Sequence, residues 1–225
     1  MTSASPTAAR QRPSQGISGR DIQAAALDAA GARPGLDWLD IGCGTGALLR
    51  AVRDRHEPSS LRGTDVINWL DEDLLGDVEA VTGPAEVALP TVSSADRVLM
   101  VEVMEHLESP WTILRAAARL VRPHGRLVVT TPHVANLRHR LELVVRGQLT
   151  SFRPDNQPHL TPVLPHVVRT ILVEEGLSVS TRYGGVDLIP LTGGRRWPSG
   201  IRCRFPALTH RSVVMIGIRN EGTAR

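Results

Sequence analysis

Between residues 36 and 131 the chain alternates short apolar runs with longer stretches whose apolar side chains recur every three to four positions. The short runs are Trp38–Ile41, Leu61–Asp65, Glu79–Thr82, Arg97–Val101 and Arg126–Thr130. They have strand length, and several are apolar at consecutive positions, as strands covered on both faces are. The stretches Gly46–His56 and Trp111–Val121 follow the helical period, and Pro123 and Gly125 are expected to stop the second. An earlier helix is expected from Ser18, as N-cap, to about Ala30, ended by Gly31. Alternation of this kind specifies an α/β fold, a mostly parallel sheet with helices on both faces.

After Thr131 the pattern changes. Residues 132–163 are polar, punctuated by proline and rich in Arg and His, with one amphipathic stretch from Leu137 to Arg146. A helix (Leu164–Glu175), a strand (Leu177–Tyr183), a Gly/Pro/Arg loop over 184–208 and a last strand (Ser212–Arg219) follow. Residues 1–16, rich in Ser, Thr, Ala, Pro and Gln, read as a disordered tail. Residues 17–225 read as one domain carrying two inserts, at about 132–163 and 184–208.

Composition narrows the class. With 225 residues, 41% of them hydrophobic and 22% charged, the chain is an ordinary globular one. Runs such as Val98–Val101 and Val213–Ile218 fall far short of the roughly 20 residues that span a bilayer, so no membrane span is expected. The first 16 residues lack the apolar core of a secretory signal, and a cytoplasmic location is expected. Two cysteines, Cys43 and Cys203, do not suggest a disulfide scaffold. The net charge of +3 hides an asymmetry: residues 1–112 hold 9 Arg against 17 Asp and Glu, whereas residues 113–225 hold 17 Arg against 6. Lysine is absent.

The string Asp40-Ile41-Gly42-Cys43-Gly44-Thr45-Gly46-Ala47 is a strand end, a glycine turn and a helix start. Gly42 and Gly44 let the backbone take positive φ and lie against a ligand, and amides at the helix head face it. The next strand ends at Asp65, placed to accept hydrogen bonds from both hydroxyls of a ribose. Gly42, Gly44 and Ala47 also satisfy the dinucleotide fingerprint. Against that reading, Asp40 would repel a pyrophosphate, and no second dinucleotide half follows. S-adenosylmethionine fits better, with its adenosine toward Asp65 and its cationic amino-acid end toward Asp40.

DIGCGTGALL resembles the first motif of the class I S-adenosylmethionine-dependent methyltransferases, and residues 95–133 resemble their fourth and fifth strands with the helix between. The resemblance covers about residues 20–220. It implies a Rossmann-like seven-stranded sheet with the last strand antiparallel. It also implies a cofactor site formed by Asp40, Gly42, Cys43, Gly44 and Gly46 at the methionine portion, Asp65 and Val66 at the ribose and adenine, and Val101 beneath. Where such enzymes often have Gly-Asp-Ala after the third strand, this chain has Gly83-Pro84-Ala85, so the adenine contact is either absent or replaced by backbone groups near Ala85.

Glu102, Glu105 and His106 follow the fourth strand. If a helical turn begins at Glu102, the three share one face. Two carboxylates and an imidazole can bind a divalent metal of Mg or Zn type with one more ligand. Alternatively, His106 is a metal-free general base, or Glu105 caps or pairs within the fold. This pattern resembles the quinone O-methyltransferases of ubiquinone biosynthesis and the 3′-terminal 2′-O-methyltransferases of small RNAs. In both, the cluster and a downstream histidine are implicated in metal binding; His159 is the match here and His133 the substitute. His106 and Glu105 are the candidate catalytic residues.

The stretch after the fifth strand resembles methyltransferases related to the methionine-biosynthesis MetW-like group, where it forms part of an acceptor wall. Arg195, Arg196, Arg202 and Arg204 of the second insert could close the same mouth and attract an anionic acceptor. Single-stranded nucleic acid usually calls for stacking aromatics, and these are 3% of the chain. The resulting expectation is methyl transfer to an oxygen of a small-molecule acceptor. The alternatives are RNA 2′-O-methylation and a non-catalytic, cofactor-binding partner protein.

Overall fold

A computed structural model describes residues 19–152, 159–190, 192 and 194–221. The tail expected over residues 1–16 lies outside them. Seven strands form one sheet: β1 (Asp37–Ile41), β2 (Ser60–Asp65), β3 (Val78–Thr82), β4 (Ala95–Val101), β5 (Val121–Pro132), β6 (Leu177–Val186) and β7 (His210–Arg219). Their order is β3-β2-β1-β4-β5-β7-β6. The first five run parallel, and β7 enters antiparallel between β5 and β6. This is the sheet expected from the resemblance.

Eight helices accompany the strands among the described residues: α1 (Arg20–Ala30), α2 (Ala47–His56), α3 (Ala85–Ala88), α4 (Pro110–Arg119), α5 (Leu137–Arg146), α6 (Pro165–Glu174), α7 (Ser199–Arg204) and α8 (Pro206–Thr209). Alternate strand residues serve opposite faces. Trp38, Leu99, Val101, Val128 and Val214 pack with α1 and α2, whereas Leu39, Val98, Met100, Val129 and Met215 pack with α4 and α6. Both alternations are apolar because both faces are covered, and each such side chain stabilises the fold by about 1.5–3 kcal/mol. No helix among the described residues is long and apolar enough to cross a membrane.

Beyond shifts of one to three residues at element ends, three departures from the sequence reading stand out. Helix α4 ends at Arg119, and β5 starts at Val121 and runs through the expected stop at Pro123 and Gly125. The pairing register of β4 and β5 shifts between Ala95 and Arg97, and His124 has φ +61°. A bulge there takes the breaker residues out of the ladder, so the strand tolerates them. At the other end, α1 begins at Arg20 with Gly19 as a cap that makes no side-chain bond; Ser18 lies outside the described residues. The loop expected over 184–208 holds the end of β6 and helices α7 and α8, with Pro206 in the first turn of α8.

Many arginines of the basic half are tied within the fold. Arg115 and Arg119 pair with Glu175, Arg122 with Asp37 and Asp96, Arg138 with Asp187, Arg182 with Asp28 and Arg211 with Asp21. Arg126 donates to the Ala29 carbonyl, and Arg219 donates to those of Ala118 and Val121. The carbonyls of Ala29 and Ala118 close α1 and α4, where helical carbonyls lack partners within the helix. Three of these pairings, those of Arg122, Arg182 and Arg211, join the basic half of the chain to acids of the first half.

Candidate functional site

Strands β1 and β4 are neighbours, and the chain leaves them toward opposite ends of the sheet, so a crevice opens at their carboxyl ends. The glycine loop lies there. Gly42, Gly44 and Gly46 have φ of +73°, +53° and +83°. A Cβ on Gly42 would stand 2.6 Å from Cγ2 of Val103, so this position needs glycine for space as well as for conformation. The amides of Gly42 and Cys43 donate to the Thr64 carbonyl (2.7 and 3.1 Å), which lashes the loop to β2.

The Asp65 carboxylate is held by two amides: Gly44 N donates to Oδ2 (2.8 Å) and Val66 N to Oδ1 (2.7 Å). Each oxygen keeps accepting capacity for a ligand hydroxyl. Asp40, 2% exposed, sits at the root of the loop. Burial pushes its carboxyl up to about 8, and the charge of Asp65 adds to the rise. A cationic ligand group would favour its ionised form. Cys43 is buried, and burial, then Asp40 and Asp65, push its thiol up, so it stays protonated. The Cys43 Sγ stands 2.7 Å from where Gly63 would carry a Cβ, so its side chain packs on β2.

Val101 is buried in the core on the α1–α2 face, and only its backbone lies at the strand edge. Ala85 begins α3 and packs partly buried against the opposite core. Beside Asp65, Val66 and Ile67 remain 49% exposed and Trp69 37%. This apolar surface suits a base or another flat ring. Sequence reasoning passed over Ile67 and Trp69; their signal was a run, Val-Ile-Asn-Trp-Leu, too apolar for an ordinary loop.

At the end of β4 the chain does not enter a helical turn at Glu102. Glu102 takes φ +55°, and a short 3₁₀ turn follows over Met104–His106. That reversal breaks the helical phase expected to align Glu102 with Glu105 and His106. Glu102 instead turns to β5: its amide donates to Thr130 Oγ1 (3.0 Å), and that hydroxyl donates to its Oε1 (3.0 Å). Burial raises its carboxyl pKa, against the lowering hydrogen bonds of Thr130 and Ser212. Of the residues expected to hold a metal, Glu102 is the one set apart from the others.

The remaining three come together. Ligand atoms of Glu105, His106 and His159 lie within 4.8 Å of one another. The imidazole rings of His106 and His159 stand edge to face, with centroids 4.8 Å apart. His159 is brought in by backbone, since the amides of Leu160 and Thr161 both donate to the Glu105 carbonyl (2.7 and 3.1 Å). His159 Nδ1 donates to the Ser151 carbonyl (2.8 Å), which leaves Nε2 to carry the lone pair. His133 is elsewhere, its Nε2 donating to the Ala207 carbonyl (2.8 Å).

Glu105 is fully buried, and among the described residues neither of its carboxylate oxygens has a hydrogen-bond partner. Burial, then the charge of Glu102, raises its pKa well above the ordinary carboxylate range. A buried polar group without a partner costs about 1–3 kcal/mol, and a charged one more. A cation among these ligand atoms would relieve that cost, and one carboxylate with two imidazoles is a donor set for a zinc-type metal.

A family model described as a methyltransferase domain matches residues 10–179. The chain is 27% identical over 192 residues to the mitochondrial ubiquinone biosynthesis O-methyltransferase of Homo sapiens, covering 80% of this chain and 51% of that relative. It is 30% identical over 175 residues to the ubiquinone biosynthesis O-methyltransferase of Maricaulis maris, covering 72% and 67%. The chain thus spans about half the length of the human relative it matches. In fold it is similar to the methyltransferase solved in complex with the Trm112 activator from Haloferax volcanii, with a TM-score of 0.65, 17% identity, and 90% and 91% of the two chains covered.

Proposed function

The chain belongs to the class I S-adenosylmethionine-dependent methyltransferases, and on that premise we propose that it methylates an oxygen of a small-molecule acceptor at a site containing a zinc-type divalent metal. One observation carries the reading: the buried, unpartnered Glu105 carboxylate gathered with His106 and His159 at the sheet edge that bears the glycine loop.

S-adenosylmethionine, when bound, supplies an electrophilic methyl group on a sulfonium. Asp65 accepts hydrogen bonds from the ribose hydroxyls, and Val66, Ile67 and Trp69 cover the base. Asp40 faces the cationic amino-acid end, and the amides of the glycine loop line the remainder. A divalent cation, held by Glu105, His106 and His159, supplies Lewis acidity that makes an acceptor hydroxyl easier to deprotonate. Glu102 stays with Thr130 and orders the exit of β4. The acceptor's proton leaves through His106 if no metal is held, which retains that residue as the base in the metal-free form of the reading.

The resemblance to enzymes of ubiquinone biosynthesis supports an oxygen acceptor on a small, ring-shaped substrate, since those relatives are named for O-methylation. Elemental analysis of the purified chain is expected to find zinc or a similar transition ion near one per chain. EDTA treatment and His106→Ala are each expected to depress turnover while cofactor affinity stays near normal. If metal is absent and EDTA changes nothing, the metal part of the reading is wrong.

A second reading, in which turnover needs a protein partner, is favoured by helix α5, where Leu141, Leu143, Val144 and Val145 are exposed. Turnover by the purified chain alone, across a panel of phenolic acceptors, separates the two.

A further inference from the structure

Helix α5 places one polar side chain in the interior: His139, 4% exposed. Both of its ring nitrogens have partners, Nδ1 at 3.0 Å from Asn136 Oδ1 and Nε2 at 3.1 Å from Ser151 Oγ. The direction of each bond follows from Asn136, which is fully buried. Its Nδ2 donates to an Asp187 carboxylate oxygen (2.8 Å) and to the His210 carbonyl (3.2 Å), and both of these are acceptors. The atom facing His139 is therefore the amide oxygen, and it also accepts from the His139 backbone amide (2.9 Å). His139 Nδ1 must carry the proton, which leaves Nε2 to accept from the Ser151 hydroxyl. Burial lowers the pKa of His139, in keeping with a neutral ring.

Ser151 is thereby held by its side chain, and its carbonyl is the group to which His159 Nδ1 donates. The hydrogen bonds run in sequence from Asp187 through Asn136, His139 and Ser151 to His159. At the far end the His159 lone pair is confined to Nε2, the ring atom left to serve as a ligand together with Glu105 and His106. A ligating histidine needs its other nitrogen held in this way, and loss of such a partner typically weakens metal affinity about 10–100-fold.

We propose that His139, acting through Ser151, is a positioning residue that fixes the tautomer and orientation of His159 for a divalent cation held with Glu105 and His106. This rests on the metal reading above. A purely structural role for His139 would affect stability alone. The positioning role is specific to Zn²⁺ affinity and to the His159 tautomer, and should leave the glycine-loop site untouched.

The test uses the full chain stripped of metal and then titrated with Zn²⁺ by calorimetry. Ser151→Ala and His139→Ala leave the Ser151 carbonyl in place but unanchored, so they are expected to weaken Zn²⁺ binding by roughly tenfold, the low end for a lost outer partner, with affinity for S-adenosylhomocysteine within about twofold of the starting chain. His139→Gln, which can keep an acceptor toward Ser151, is expected to restore Zn²⁺ affinity to within about threefold. In parallel, proton–nitrogen spectra of the imidazoles in the metal-free chain should show His159 as a single Nδ1–H tautomer. In His139→Ala they should show a mixture. If Ser151→Ala and His139→Ala keep full Zn²⁺ affinity while His159→Ala loses it, the positioning role is overturned and the metal site stands. If the unaltered chain takes up no Zn²⁺, the metal reading falls and this proposal with it. A mixed His159 tautomer in the unaltered chain overturns the tie on its own. Should His139→Ala fail to fold, Ser151→Ala, which removes a single hydroxyl, decides the matter.

Discussion

The glycine loop and the Glu105–His106–His159 cluster share one edge of the sheet, yet they are built in opposite ways. The loop is local. Its three glycines, Asp40 and the start of α2 are consecutive, and a few backbone bonds to β2 settle its shape. The cluster is assembled from afar, because two backbone amides of the segment before α6 must find the Glu105 carbonyl before His159 is in place. The difference teaches where each can fail. Damage to the loop should act on the cofactor alone, whereas the cluster is exposed to changes in remote segments that touch neither ligand.

The largest expected effect tests the independence of the two. On the proposed reading, Asp65→Ala would remove the acceptor for two ribose hydroxyls; it also releases the amides of Gly44 and Val66. S-adenosylhomocysteine affinity is expected to fall about 100-fold or more, on the scale of two charge-assisted hydrogen bonds at roughly 1.5–3 kcal/mol each. Zn²⁺ affinity measured on the same sample should not move. A loss under about threefold would remove Asp65 from the adenosine site.

Next in size is Glu105→Gln, for which Zn²⁺ affinity is expected to drop at least about tenfold with S-adenosylhomocysteine binding unchanged. In the metal-free chain the same substitution should leave the melting temperature at neutral pH the same or higher, because an unpartnered buried carboxyl is replaced by a neutral group. A marked loss of stability would instead assign Glu105 to packing.

The effect of pH is smaller and concerns the loop. The folded-state pKa of Asp40, about 8, lies above its ordinary value of 3.8. Between these values the folded chain holds a proton that the unfolded chain has lost, so this group's contribution to stability is present below pH 4 and lost as pH rises through 8. A cationic ligand prefers the ionised carboxylate, so cofactor affinity should climb between pH 6.5 and 8.5, by up to about tenfold per unit. Asp40→Asn should flatten the slope relative to the unaltered chain, and equal slopes in the two would dismiss a direct contact. Smallest of all is Glu102→Gln, which keeps an acceptor for Thr130 and should leave Zn²⁺ affinity within about twofold. A tenfold loss would return Glu102 to the metal site and blur the contrast between the two regions.

What the amino-acid sequence made legible follows the same contrast. The strands and the loop could be read because apolar period and glycine spacing are local properties, and Asp65 because it ends a strand at a fixed place. The pairing of Glu105 with His106 was legible from their adjacency, and His159 by resemblance. The departure of Glu102 was not, because a single residue at positive φ leaves no mark on Val-Glu-Val-Met-Glu-His. Nor was the passage of β5 through Pro123 and Gly125, since only the register against β4 reveals the bulge. The expectation of an anionic acceptor concerned Arg195, Arg196, Arg202 and Arg204. Other arginines of the second half serve the fold, Arg126 and Arg219 by closing helices and Arg122, Arg182 and Arg211 by holding acids of the first half, partners that periodicity cannot identify.

The position of β7 carries a consequence for how the chain is made. Among the described residues strand β6 has one neighbour in the sheet, and it is β7. Emerging from a ribosome, residues 177–186 therefore wait with both edges bare until residues 210–219 have followed, and β5 waits with one edge bare for the same arrival. A strand with unpaired edges is the kind of surface that other chains add to. Slow translation between the two strands would lengthen that interval, and synonymous codon changes over 187–209 would alter yield without altering a single side chain.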